Sequence, residues 1–154
     1  MEADIAGRTS ESQQRRKYKI HWHVVLVHFP VSALAGAFLF MALHLITKNP
    51  CLDYAAFITL LVSAIVLIPV TLSGWFTWKY RYGASKIKLF RIKIWTAVAM
   101  IPLSLALVVY HALYPFDVLD AAHVLPHALY FAGVTLLMAG AFVEGFWGGR
   151  LNHR

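Results

Sequence analysis

The chain has 154 residues, 60% of them hydrophobic and 14% charged, against roughly half and a quarter in soluble domains. Its single cysteine, Cys51, excludes an intrachain disulfide framework, a CxxC redox pair and a cysteine zinc site. The excess of 14 Lys and Arg over 7 Asp and Glu would suggest nucleic acid if the basic residues formed a stripe, but they cluster between long apolar runs, which is membrane topology.

Residues 1–19 are polar and hold no apolar core of the signal-peptide kind, so they read as a tail. Four apolar spans follow, at 20–47, 54–78, 92–114 and 124–147, each long enough to cross a bilayer, for which about 20 residues suffice. Residues 150–154 form a second tail. Runs such as AAFITLLVSAIVLIP do not alternate in polarity, so the spans are helices and not barrel strands. The breaks KNPCLD, YRYGASK and YPFD hold Pro or Gly among polar neighbours. The fold expected is an all-α integral membrane protein, a single antiparallel four-helix transmembrane bundle.

The basic residues orient it. Of the 14 Lys and Arg, all but Lys48 lie in the two tails or the segment 79–93, including Arg15, Arg16, Lys79, Arg81, Lys88, Arg91 and Lys93. The positive-inside rule places those parts in the cytoplasm, both termini included. Asp53, Asp117 and Asp120 fall on the opposite side. The positive charge is thereby assigned to anionic headgroups, and no nucleic acid is expected.

In chain order, the first span carries His28 about 12 Å and His44 about 36 Å above its inner end, at 1.5 Å per residue. The second ends in GWFTWKYRYG, with Trp75, Trp78 and Arg81. The third carries Lys93 and Met100, with His111 about 28 Å up. The fourth carries His127 about 30 Å up, then Met138 and Glu144. Pro30, Pro69 and Pro102 lie within helices and should bend them or free a carbonyl. Small residues such as Gly36, Gly133 and Gly140 allow close helix approach. His21, His23, His123 and His153 lie at interfaces or in a tail.

Ionisable side chains at membrane depth are costly and usually functional. His44, His111 and His127 gather toward the outer surface, and facing imidazoles in an apolar shell are what a six-coordinate haem b needs. His111 with His127 is the expected pair of axial ligands, because their depths match on consecutive helices. His44 and His28 are the alternatives, and a histidine-only copper or zinc site is a further option. A second, inner haem would draw on His28 with Met100 or Met138. At the inner mouth, Trp78, Arg81, Lys93 and Glu144 suit lipid headgroups, haem propionates or a quinone headgroup.

HWHVVLVHFPVSAL resembles the opening of a family of small bacterial four-helix membrane proteins of unassigned function, whose first helix begins His-Pro-x-x-Val-His-Phe-Pro. His23, Val27, His28, Phe29 and Pro30 match, and Val24 replaces the first proline. SGWFTWKYRYG is similar to the family's Gly-x-x-x-Trp region and GAFVEGFWGG to its glycine-rich end. Arg91 and Trp95 stand near where many members carry a histidine and an asparagine. The resemblance implies the four-helix fold and a bacterial inner-membrane location. The plan is also similar to four-helix b-type cytochromes, which implies electron transfer between quinones and outer-face partners.

The leading expectation is therefore a haem b subunit, with one haem or two, in a quinone-linked respiratory complex. Its partner would be a periplasmic cytochrome or iron–sulfur protein, with any catalytic domain on a separate chain. A cofactor-free anchor or assembly subunit is the alternative, and metal or proton translocation the next; a homo-oligomer is compatible with each.

Overall fold

The computed structural model describes the backbone at 22–81, 83–84, 87–114 and 124–152, and side chains there except at 22–25, 81, 89 and 148–152. Four helices account for nearly all of it: α1 (Trp22–Thr47), α2 (Pro50–Arg81), α3 (Lys88–Leu113) and α4 (Val124–Asn152). All four contain stretches long and apolar enough to span a membrane. They are apolar around their whole circumference, as helices facing lipid on one side and protein on the other must be.

Much of the expected break KNPCLD is helix. Lys48 takes a left-handed conformation, φ 58°, and its N–H donates to the His44 carbonyl at 2.8 Å, closing α1. Asn49 Oδ1 accepts the Cys51 N–H at 2.9 Å, which is the work of an N-cap. Pro50 then takes the first helical position, where its missing N–H costs nothing. The connection from α1 to α2 is two residues long, so Asp53 lies in the first turn of α2 and not in a loop. At the opposite end, α2 and α3 run past their apolar spans into the basic segment, where Lys and Arg stems can lie along the helices with their charges in the headgroups.

Each helix packs on its sequence neighbour, and α4 closes the ring against α1. The buried positions recur at steps of three and four: Pro30, Leu34, Ala37, Met41 and His44 on α1; Met100, Ser104, Leu107 and His111 on α3; His127, Tyr130, Val134, Leu137 and Ala141 on α4. That alternation keeps one stripe of each helix turned inward along its length. Phe29, Leu39, Ile65, Leu136 and Phe142 are among the large apolar residues left outside, where the hydrocarbon of a bilayer would cover them. Several hydroxyls find partners within the bundle, as lipid favours: Thr59, Thr77 and Thr135 bond back to their own helices, while Ser63 donates across to the Pro30 carbonyl at 3.2 Å and ties α2 to α1.

Gly133 marks the tightest approach of α3 and α4. A Cβ there would sit 2.6 Å from one methyl of Leu107 and 3.3 Å from its Cγ, so turning the methyls alone does not clear it. Gly133→Ala is expected to destabilise the folded bundle by about 1–3 kcal/mol, the usual cost of overpacking. Adding Leu107→Ala should recover part of that loss. Equilibrium unfolding in mixed micelles measures both.

Candidate ligand site

Three buried imidazoles lie at the end of the bundle remote from the basic segment. His44 is 2% exposed, His127 4% and His111 8%. His44 sits in the last turn of α1, His111 in the last turn of α3 and His127 in the first turn of α4. Each stands on the inward stripe of its helix, one step beyond Met41, Leu107 or Tyr130. The depths expected from helical rise bring all three to this end.

The rings of His44 and His127 face each other across the α1–α4 seam, with centroids 6.0 Å apart and planes inclined by 23°. The Nδ1 of His44 lies 2.8 Å from the Asn49 carbonyl. A carbonyl only accepts, so Nδ1 carries the proton, and the neutral ring leaves Nε2 as a bare lone pair. That Nε2 is buried and makes no hydrogen bond. The Nε2 atom of His127 is likewise buried without one. A buried acceptor left without a hydrogen sacrifices about 1–3 kcal/mol of solvation.

His111 is differently engaged. Its Nε2–H is shared between the two carboxylate oxygens of Asp53, at 3.1 and 3.0 Å. Phe57 stacks on the ring at 4.7 Å and Tyr130 lies tilted at 5.1 Å. A carboxylate accepts and does not donate, so the nitrogen facing it is protonated and cannot simultaneously offer a lone pair to a metal. His111 and His127 match in depth, and the ring of His127 also lies against that of His44.

The remaining sequence candidates are dispersed. His28 stands on the exposed face of α1. Met100 is turned inside against α4, its Sδ 3.0 Å from where a Cβ of Gly140 would lie. Trp78 meets Trp75 edge-on at 5.4 Å. The side chain of Arg81 lies outside the described residues. Lys93 and Glu144 do come together, with Nζ 3.6 Å from Oε2, while Glu144 Oε1 is buried and makes no hydrogen bond. This pair joins α3 to α4 at the basic end.

Comparison with known protein families, curated proteins and solved structures finds no match, so the chemistry of the site rests on its own residues.

Among the described residues no group of three or more His, Cys, Asp or Glu is placed to hold a metal ion, so a tetrahedral zinc site has no closing ligands there. The two nearly parallel rings, 6.0 Å between centroids, bring two neighbouring imidazoles together in the interior. The neighbouring stripe residues Met41 and Tyr130 are buried, and the Phe38–Phe131 stack, 5.4 Å between centroids, continues the α1–α4 seam. The surroundings are thus apolar and aromatic.

Asp53 and Asn49 are the residues that sequence reading did not place in the site. Asp53 served there only as an outer-side charge, because the second span was started at Tyr54. The signal available was Asn49-Pro50, an N-cap followed by an N1 proline, which carries the helix back to include Asp53.

Proposed function

We propose that this chain is the membrane subunit of an electron-transfer complex, in which His44 and His127 would hold a b-type haem. The observation that carries the reading is the pair of buried imidazoles 6.0 Å apart, one of them held by Asn49 through Nδ1 while its Nε2 makes no hydrogen bond. When bound, the haem supplies a one-electron carrier in the low-dielectric interior. The chain's own residues hold it. The Asn49 carbonyl orients His44, and a hydrogen bond to the far nitrogen of a ligating imidazole is the usual device for fixing its tautomer and raising its basicity. The buried stripes of α1 and α4 exclude water from the iron ligands. Asp53 and His111, paired beside Tyr130, keep a polar group near the site without exposing it to lipid.

In this reading the basic end lies in the cytoplasm, by the positive-inside rule, and the imidazoles face the periplasm of a bacterial inner membrane. A periplasmic cytochrome or iron–sulfur protein is then the redox partner at the imidazole end. Lys93 and Glu144, paired across α3 and α4, would take a quinone headgroup on the cytoplasmic side, with Trp78 and Arg81 at the same end of α2. Cys51 tests the orientation directly, because its side chain is exposed at the α1–α2 corner. A membrane-impermeant maleimide added to intact spheroplasts is expected to label it, and labelling only after permeabilisation would invert the assignment.

A cofactor-free anchor is the second reading. It is favoured by the tight α3–α4 contact at Gly133 and the Phe38–Phe131 stack, which close two seams by side chains alone. The visible spectrum of haem-replete, detergent-purified protein decides between them. A Soret band with a sharp reduced-minus-oxidised α band supports the haem subunit, and its absence leaves the anchor.

A further inference from the structure

The ligand His44 owes its geometry to a residue outside the site, and we infer that Asn49 is a positioning residue for it. This rests on His44 being a ligand, although its first measurement does not need a bound haem. Three polar groups of Asn49 are engaged. Its backbone N–H meets Thr47 Oγ1 at 3.4 Å, and that hydroxyl is anchored on the Leu43 carbonyl at 2.8 Å. Its side-chain oxygen caps α2 through the Cys51 N–H at 2.9 Å. Its carbonyl accepts twice, from Leu52 N–H at 3.1 Å and from His44 Nδ1–H at 2.8 Å.

The side-chain cap therefore sets the direction of the carbonyl, and the carbonyl sets the tautomer and plane of the imidazole. Lys48 supplies the reversal that brings Asn49 back over its own helix, at φ 58°. The same cap starts the helical turn that carries Asp53, and Asp53 holds His111. One two-residue corner thus bears on two imidazoles, His44 through the Asn49 carbonyl and His111 through Asp53. An ordinary N-cap would stabilise α2 equally well without its carbonyl being aimed at a buried histidine; the 2.8 Å bond to Nδ1 is what adds the second role.

The test uses full-length protein made in haem-deficient cells, labelled with 15N-histidine and studied in micelles. Wild type should show His44 as a single neutral tautomer protonated on Nδ1. Asn49→Ala, which loses the cap, should give His44 signals averaged between two tautomers. On titration with haemin it should bind about 10–100-fold more weakly, the usual effect of losing an outer-shell partner. Asn49→Asp and Asn49→Ser keep an oxygen at the N-cap position and should restore both signatures. The inference is overturned if wild-type His44 carries its proton on Nε2, or if Asn49→Ala keeps both the tautomer and the affinity. Should wild type bind no haem, the proposed function fails, and the tautomer measurements on apoprotein still decide the role of Asn49.

Discussion

His44→Ala and His127→Ala are each expected to abolish the low-spin haem spectrum of the purified protein, whereas His111→Ala keeps it. The difference follows from the proposed pairing. His44 and His127 lie 6.0 Å apart, ring to ring, and in that reading would hold the iron, so either substitution would remove one of its two holding residues. His111 donates its Nε2–H to Asp53, and in the same reading its loss acts from outside the ligand set. An outer-shell change of that kind lowers affinity by about 10–100-fold, which haem supplied in excess offsets. His28→Ala, on the exposed face of α1, should leave the spectrum intact. The opposite pattern, with loss in His111→Ala and retention in His44→Ala, would restore the pairing expected from depth alone and remove the geometric case made above.

How much of this was legible in the residues divides along a physical line. Depth was readable, because rise per residue is set by the backbone and needs no tertiary contact. The arithmetic therefore brought His44, His111 and His127 to one end. Azimuth was not readable. These helices are apolar all round, so hydropathy does not say which stripe faces the core. The rotation of each helix is fixed by contacts between helices, such as Leu107 against Gly133 and Ser63 on the Pro30 carbonyl. Once the seam Pro30, Leu34, Ala37, Met41 is known, His44 falls on it without further assumption. The α1–α2 corner failed to register for another reason: proline and asparagine were read as breakers, although together they begin a helix as readily as they end one.

Removing the carboxylate of Asp53 is expected to destabilise the bundle by about 1–3 kcal/mol, the cost of leaving a buried donor without its acceptor. Two magnitudes compete here. Interhelical hydrogen bonds in membranes average only about 0.6 kcal/mol, because the separated helices find other partners. The Asp53–His111 contact is stronger than that average on two counts. It is bidentate toward one donor, at 3.1 and 3.0 Å, and both side chains are nearly inaccessible, at 14% and 10%. Asp53→Ala should therefore lower the unfolding midpoint in micelles. Asp53→Asn, which retains one acceptor oxygen, should lie between Asp53→Ala and wild type. Replacing both partners, Asp53→Ala with His111→Phe, should recover most of the loss, since no polar group then remains to be satisfied and the added ring can stack on Phe57. Strict additivity of the two single changes would mean that the carboxylate and the imidazole do not hold α2 to α3. His111 would then be free to turn its Nε2 elsewhere, including toward a metal.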